Sequence, residues 1–303
     1  MSPATRILTE LRQNRLFAAL ANAELEHLQP LLEPVQWHIG QVLCQSGAPL
    51  THVYFPTTAI VSLLYMTQDG GSAEVAVVGS DGVVGVSLFM GGNATPSQAV
   101  VQGAGDGFRM RAEVVREEIE RAGPALQIML RYAQAMIAQV AQTAMCNRYH
   151  SIDQQLARRL LLALDHSPSD DVAMTQETLA HLLGVRREGV TAAALKLQTA
   201  GVIRYSRGHI AVLDRARLEH HTCECYGVVR KEYDRLLPAL PQTMSTPQPV
   251  PAGHGRSFET PPPASRPPAA EIRLIETIVP VFDGLSIWSA LGRRRDVEPV
   301  AAV

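Results

Sequence analysis

Two short runs of apolar residues at intervals of three and four predict a pair of amphipathic helices on either side of residue 184. The first run consists of Leu179, Leu182 and Leu183, and the second of Val190, Ala193, Ala194 and Leu197. Gly184 lies between the runs and can adopt the left-handed backbone conformation of a tight turn, because it has no Cβ atom. Helices joined in this way form a helix-turn-helix, whose second helix enters the major groove of DNA. The alternative is an ordinary helical hairpin with a charged, solvated end.

A small β-hairpin is predicted directly after the second helix. Gly201 ends that helix, and residues 202–205 alternate in the manner of a strand. Residues 206–208 have turn character, and residues 209–213 form a second strand. A hairpin in this position is typical of a winged helix, so it favours DNA binding over the simple helical hairpin.

Basic side chains are concentrated in the same region. Residues 172–217 contain seven basic and three acidic side chains, a net charge of +4 within a chain whose net charge is −2. The basic residues are Arg186, Arg187, Lys196, Arg204, Arg207, Arg215 and Arg217, and the acidic ones are Glu177, Glu188 and Asp214. A local basic patch is the electrostatic signature of contact with DNA phosphates.

The start of the second helix has the chemistry required to read DNA. Arg187 can pair with guanine through two hydrogen bonds, and Glu188 can accept one from cytosine. Arg186 falls at the predicted N-cap, where a cation opposes the helix dipole unless a DNA phosphate lies nearby. Gly189 lowers helix propensity by about 1 kcal/mol relative to alanine, but it lets the backbone approach DNA closely.

The N-terminal part, residues 15–115, has a different pattern. A short helical stretch over residues 16–32 is followed by short alternating or β-branched runs separated by glycines. The predicted strands include residues 53–55, 60–65, 75–78 and 99–101. Many short strands with regular glycine turns predict a β-roll or jelly roll.

A long helix is predicted over residues 123–150. Its apolar seam, with steps of three and four, consists of Leu126, Met129, Ala133, Met136, Val140 and Thr143. The seam is heptad-like, and its simplest partner is the same seam of a second copy across a two-fold axis. A core helix within one chain is the alternative.

The composition of the whole chain sets the context. Its 303 residues, 46% of them hydrophobic, indicate a globular protein with more than one domain. Neither a secretory leader nor a membrane-spanning run is evident, and four unevenly spread cysteines favour a reduced, cytoplasmic protein. Ten of the twenty prolines fall within residues 238–270, so the tail over residues 238–303 is predicted to be disordered.

A β-roll, a long helix and a winged helix-turn-helix, in this order, resemble the Crp/Fnr family of bacterial transcription regulators over residues 14–237. The resemblance rests on Gly40–Leu43, Gly47–Pro49, Val53–Pro56, Thr175 and the pair Arg187-Glu188. It implies an α+β fold, with a double-stranded, jelly-roll-like β-roll of the cyclic-nucleotide-binding type. The implied divisions are a roll over 14–122, a dimerisation helix over 123–150, a DNA-binding domain over 151–237 and the tail over 238–303.

The resemblance also implies partners and site residues. A homodimer would bind a near-palindromic site on double-stranded DNA and control transcription, usually by contacting RNA polymerase. Thr175 resembles the N-cap of the first motif helix, and Arg187-Glu188 resembles the base-reading pair of the family. The residues expected at the DNA interface are Thr175, Arg186, Arg187, Glu188, Gly189, Thr191 and Arg207.

The effector region departs from the family members that sense cyclic AMP. Those members hold the phosphate with a Gly-Glu-Leu turn and an Arg-Ser pair, where this chain has Gly85-Val86-Ser87 and Ser97-Gln98. Residues 16–108 contain no lysine or arginine, against seven acidic residues, so a buried phosphate would lack a cationic partner. We therefore expect a degenerate effector domain that does not bind cyclic nucleotide. An unknown small-molecule effector and a ligand-independent DNA-binding protein both remain open.

Cofactors and enzymatic activity are not expected. The iron–sulfur branch of the family needs several N-terminal cysteines, and this region has only Cys44. A haem ligand could come from His27, His38 or His52, but a lone histidine is more often an ordinary core or surface residue. Four soft-metal ligands occur close together at His220, His221, Cys223 and Cys225. Adjacent ligands rarely converge without a second set from elsewhere, so we expect free thiols and no metal. A cupin-like metal-binding enzyme is the rival interpretation, but it would leave the winged helix unexplained.

Overall fold

The structure, a computed structural model, describes residues 3–167, 171–206 and 208–237. The chain divides into two units, and all of the described residues belong to the first, Met1–Met244. Arg207 and the tail over residues 238–303 lie outside the described residues, so the predictions for them are not addressed by the structure.

Helices and strands alternate in blocks along the described chain. The helices are α1 (Pro3–Leu11), α2 (Arg15–Ala18), α3 (Asn22–Leu28), α4 (Ala112–Arg121), α5 (Pro124–Tyr149), α6 (Ile152–Asp165), α7 (Gln176–Leu183), α8 (Arg187–Thr199), α9 (Arg215–His221) and α10 (Glu224–Leu236). The strands are β1 (Glu33–Trp37), β2 (Val42–Cys44), β3 (His52–Pro56), β4 (Ile60–Met66), β5 (Ser72–Val78), β6 (Gln98–Gly103), β7 (Gly105–Arg111), β8 (Asp171–Ala173), β9 (Ile203–Ser206) and β10 (His209–Val212). Two short 3-10 helices lie at Gln29–Leu31 and Val86–Met90.

The N-terminal strands form two antiparallel sheets, in the orders β1–β7–β3 and β2–β6–β4–β5. Residues of both sheets share one apolar core, which helix α2 also enters. Within this core the rings of Phe17 and Phe55 lie 4.6 Å apart, and Trp37 meets Tyr54 edge-on at 6.0 Å. The predicted β-roll is confirmed.

The C-terminal part combines helices α6 to α9 with a small sheet in the order β8–β10–β9. Helix α6 begins at a capping box, in which Ser151 and Gln154 bond to each other's backbone N–H groups. Strands β9 and β10 form the predicted hairpin directly after α8. The predicted α+β fold, with a roll, a long helix and a winged helix-turn-helix, is confirmed.

The core of this C-terminal part extends into the roll. Ile60 of β4 and Val77 of β5 belong to the apolar cluster that otherwise contains helix-turn-helix residues such as Leu160 and Leu179. The Ser72 hydroxyl on β5 also donates a hydrogen bond to the backbone oxygen of His181, at 3.3 Å. The first helix of the motif, α7, therefore packs directly on the outer strand of the roll.

The long helix α5 corrects the predicted dimer seam. Met129, Ala133 and Met136 are buried within their own chain, because α5 packs against α10 and the roll. Tyr132, fully buried beside them, meets Tyr233 of α10 edge-on at 6.2 Å. The prediction that the seam faces a second copy is therefore wrong for its buried members, Met129, Ala133, Met136 and Thr143.

A different apolar face of α5 is exposed. Leu130, Ile137 and Ala144 recur at intervals of seven, which places them on one side of the helix. Ile137 is 64% exposed and Leu130 is 46% exposed, which is unusual for large aliphatic side chains. The exposed apolar residues of this face, here called the α5 stripe, are Leu130, Ile137, Val140, Ala141, Ala144, Met145 and Tyr149.

No helix among the described residues has the combination of length and hydropathy that a bilayer-spanning helix requires.

Candidate nucleic-acid interface

The turn of the helix-turn-helix is built by local signals. The Thr175 hydroxyl accepts a hydrogen bond from the Thr178 N–H at 3.0 Å and caps α7. Gly184 ends α7 with a φ of +64°, in the left-handed region, and the N–H of Val185 returns to the Ala180 carbonyl. The tight turn predicted at Gly184 is confirmed.

Helix α8 presents its first turn to solvent. Arg186 is the N-cap residue, with extended backbone and no capping hydrogen bond from its side chain. Arg186, Arg187 and Glu188 are all exposed, and within the described part of the chain their side chains have no hydrogen-bond or ion-pair partner. Two cations and one carboxylate are thus available to a ligand beside the helix N-terminus, which itself attracts anions such as phosphate.

Thr191, Thr175 and Gly189 each have a role inside the protein. The Thr191 hydroxyl donates to the Gln176 side-chain oxygen at 2.8 Å, and so ties α8 to the start of α7. A Cβ atom at Gly189 would lie only 2.8 Å from the Ile152 side chain, so this glycine packs on helix α6. This contact gives Gly189 a role within the fold, and its close approach to DNA stays a prediction. Thr175 serves as the cap described above.

The other basic residues of the motif region separate into two groups. Lys196 pairs with Asp153 at 2.7 Å, and Arg215 pairs with Asp165 and Glu219, so these two cations are compensated internally. Arg204 and Arg217 are exposed, and neither has an acidic partner in the portion of the chain that the structure describes. The uncompensated positive charge is therefore carried by arginines of α8, the wing and α9.

The predicted effector stretches bond mainly within the roll. Gly85 has a φ of +91° and caps the 3-10 helix Val86–Met90. The Ser97 hydroxyl lies 2.9 Å from that of Thr95, and Gln98 donates to Gln45 at 2.9 Å. Ser87 differs, because its hydroxyl is buried and has no hydrogen-bond partner among the described residues.

The first cations after the acidic span are already paired. Arg109 of β7 donates to the Glu33 carboxylate at 2.9 Å, and this hydrogen bond holds the pKa of Glu33 below its usual value. Arg111 also lies near Glu33, at 3.6 Å. Neither arginine is therefore free of a carboxylate partner.

One cluster escaped the sequence analysis. The side chains of Cys146, His150, Cys223 and Cys225 converge, with all of their potential ligand atoms within 4.8 Å of one another. Cys223 and Cys225 belong to the segment that the sequence singled out, but His220 and His221 are exposed and lie outside the cluster. The missing partners lie at the end of α5, where Cys146 is in the last turn and His150, four positions later, is the C-cap residue.

Comparison with known proteins gives two family matches in the expected order. The model of the cyclic nucleotide-binding domain matches residues 34–122, and that of the Crp-like helix-turn-helix domain matches residues 154–221. None of the curated proteins matches the sequence.

Several solved structures share the fold. FixK2 from Bradyrhizobium japonicum has a TM-score of 0.54 at 15% identity, over 63% of this chain and 98% of that one. The global regulator CLP of Xanthomonas campestris, described as c-di-GMP responsive, has a TM-score of 0.53 at 15% identity, over 64% and 100% of the two chains. The CRP-family regulator TTHB099 from Thermus thermophilus has a TM-score of 0.52 at 19% identity, over 62% and 95%.

At these identities the structural likeness shows the fold, while the two matched domains identify the family. A Crp-type helix-turn-helix that follows a cyclic-nucleotide-binding-type roll is the arrangement of DNA-binding transcription regulators and not of enzymes. The chain belongs to the Crp/Fnr family of transcription regulators.

Proposed function

We propose that this chain is a homodimeric regulator that reads a specific DNA sequence and whose roll does not bind cyclic nucleotide. The observation that carries the proposal is the exposure of Arg187 and Glu188 on the first turn of α8, where neither side chain has a partner among the described residues. That turn is the part of a recognition helix that meets base edges. Arg187 can bond to guanine and Glu188 to cytosine, which gives the pair the chemistry of direct readout.

Phosphate contact is assigned to the cations around this pair. Arg186 lies at the N-cap of α8, where a DNA phosphate would relieve the unfavourable position of a cation at a helix N-terminus. Arg204 and Arg217 lack acidic partners within the described residues and extend the positive surface beyond α8. Thr175, Thr191 and Gly189 would support the interface by fixing α7 and α8 relative to each other and to α6.

A second copy of the chain is the proposed partner of the α5 stripe. Leu130 and Ile137 are large, apolar and exposed, and their spacing of seven residues suits packing against an identical helix across a two-fold axis. Dimerisation is also typical of this family. Two copies of α8 would then present two recognition helices to the two halves of a near-palindromic site.

The proposed loss of cyclic-nucleotide binding rests on charge. Residues 16–108 contain no lysine or arginine, and the nearest cations that follow, Arg109 and Arg111, are occupied by Glu33. A phosphate buried in the roll would have to rely on backbone amides alone, and desolvation of its charge would be poorly compensated. The effector would be another small molecule, or there would be none.

The proposed functions of the parts of the chain follow the domain limits predicted from the sequence. We assign the sensor to residues 14–122, the dimer contact to 123–150, DNA binding to 151–237 and an accessory tail to 238–303. Regulation would take place in the cytoplasm, where DNA and RNA polymerase, the second proposed protein partner, are accessible.

Selection of binding sites from a random DNA library tests the proposal as a whole. The full chain should enrich a palindrome whose half-sites lie about one helical turn apart. An enriched half-site without symmetry would contradict the dimer, and the absence of any enrichment would contradict sequence-specific reading.

A further inference from the structure

The thiol–imidazole cluster lies where two helix ends meet. Cys146 and His150 are at the C-terminal end of α5, whereas Cys223 and Cys225 flank the start of α10. The three cysteines are buried, and His150 is partly buried. No part of the proposed regulator function uses this cluster.

Two distances within the cluster are close to those between ligands of a tetrahedral metal site. The sulfur atoms of Cys146 and Cys223 lie 3.6 Å apart, and the sulfur of Cys225 lies 3.5 Å from Nδ1 of His150. Tetrahedral zinc, with Zn–S bonds of about 2.3 Å and Zn–N bonds of about 2.0 Å, would separate two sulfurs by about 3.8 Å and a sulfur and a nitrogen by about 3.5 Å. A disulfide would need a sulfur–sulfur distance of about 2.05 Å instead.

The surrounding groups orient the ligands. Nε2 of His150 lies 3.3 Å from a Glu224 carboxylate oxygen, which leaves Nδ1 directed at the cysteines. A carboxylate behind a histidine in this way is the usual support of a metal-bound imidazole. The Gln155 side chain donates to the backbone oxygens of His150 and Cys146, and so fixes the turn between α5 and α6 that carries two of the ligands.

The local charge also suits a metal–thiolate site. One divalent ion with three thiolates and a neutral imidazole has a net charge of −1. The buried guanidinium of Arg158 donates a hydrogen bond to the Thr143 hydroxyl at 3.1 Å, and Thr143 precedes Cys146 by three positions on α5. The Nε atom of Arg158 has no hydrogen-bond partner among the described residues.

We propose that Cys146, His150, Cys223 and Cys225 form a structural zinc site that joins the end of α5 to the start of α10. Four protein ligands complete a tetrahedral shell and leave no open position, which is the mark of a structural site and not of a catalytic one. The site would correct the expectation of free thiols and no metal, because α5 supplies the second ligand pair that the sequence did not reveal.

Metal analysis of the full-length protein, purified under reducing conditions without chelator, tests the proposal. We expect one zinc ion per chain, and its loss in Cys146→Ser, Cys225→Ser and His150→Ala. Cys44→Ser is the matched control, because Cys44 is a buried cysteine of the roll outside the cluster. His221→Ala, beside the cluster in sequence only, should also keep its zinc. Retention of zinc in the three cluster variants, or its loss in either control, would overturn the assignment.

Cobalt substitution gives a second measurement. It uses only the unmodified protein, so it does not depend on whether a variant folds. Stripping the unmodified protein with a chelator and adding Co²⁺ alone should produce the intense visible bands of tetrahedral cobalt and the near-ultraviolet charge-transfer band of cobalt–thiolate bonds. Zinc should bleach both and raise the melting temperature. A protein that binds neither ion stoichiometrically, or that shows a Cys146–Cys223 disulfide under the same reducing conditions, would refute the zinc site. Because these measurements need no DNA, they are independent of the proposed regulator function.

Discussion

A carboxylate oxygen of Glu74 lies 2.7 Å from Nε of Arg159, and both side chains are almost completely buried. Glu74 is on β5 of the roll and Arg159 is on α6, so the ion pair joins the roll to the helix-turn-helix. The Ser62 hydroxyl donates a hydrogen bond to the second carboxylate oxygen. The pair therefore links the roll to the helix-turn-helix domain by a charge contact that solvent does not reach.

Removing the negative partner should destabilise the protein strongly. Glu74→Gln leaves the Arg159 guanidinium buried without a counter-charge, which should lower the free energy of unfolding by about 3–5 kcal/mol. Glu33→Gln is the matched control, since its partner Arg109 is 41% exposed and water can replace the lost contact, so the loss of stability should be much smaller. Urea unfolding of both variants gives the comparison. Equal losses of stability in the two variants would show that the buried Glu74–Arg159 pair contributes no more than the exposed one.

The α5 stripe should control the oligomeric state. Ile137→Asp places a carboxylate at the centre of the proposed dimer contact, and the cost of burying it unpaired should weaken dimerisation by more than about 100-fold, or about 2.7 kcal/mol. The variant should remain folded, because Ile137 is exposed within its own chain. Sedimentation equilibrium and circular dichroism measure the two properties. The control variant is Met66→Asp, which changes an exposed methionine of the roll and should remain dimeric. If the unmodified protein is monomeric at micromolar concentration, the proposed dimer is contradicted.

The two arginines at the start of α8 should have separable roles. Arg187→Ala should cost about 1–3 kcal/mol and relax the preference at one base pair of each half-site, since a base contact is lost. Arg186→Ala should weaken all sequences equally and reduce the salt dependence by about one phosphate contact per subunit. The measurement is binding to a set of single-base variants over a range of salt concentrations. If Arg187→Ala lowers the affinity for every variant alike, Arg187 contacts only phosphate.

Cyclic nucleotides should not bind to the roll. Calorimetric titration of the full chain with cyclic AMP and with cyclic GMP should give no saturable heat, because residues 16–108 offer no lysine or arginine to the phosphate. A family regulator that does bind cyclic AMP, run under the same conditions, is the control for the method. Saturable binding of either nucleotide would show that backbone amides suffice to hold the phosphate, and it would contradict the prediction.

The helix-turn-helix could be predicted because its signals are local. Gly184 specifies the turn through its own backbone preference. The Thr175 hydroxyl caps α7 by accepting a hydrogen bond from the N–H of Thr178, only three positions away. The wing follows from an alternating pattern over a few residues. None of these inferences requires knowledge of which distant segments meet.

The dimer face could not be chosen in the same way. Helix α5 has apolar residues on two sides, and periodicity shows that a side is apolar without showing what covers it. Met136 and Ile137 are adjacent in sequence, yet the first is 6% exposed and the second 64%. The difference arises from α10 and the roll, which pack on the Met136 side. Likewise, Cys146 and Cys223 are 77 positions apart, so only the fold brings them together.

The packing of Ile60 and Val77 into the core of the helix-turn-helix limits how this protein can be taken apart. A fragment that began at α6 would lose two of its own core contacts and expose apolar surface of α6 and α7 to water. We therefore expect the roll and the DNA-binding helices to unfold as one cooperative unit, in contrast to domains joined only by a linker. In evolutionary terms, the roll of this chain could not simply be exchanged for another domain. A replacement would have to provide the side chains of Ile60 and Val77 at this contact as well as respond to a signal.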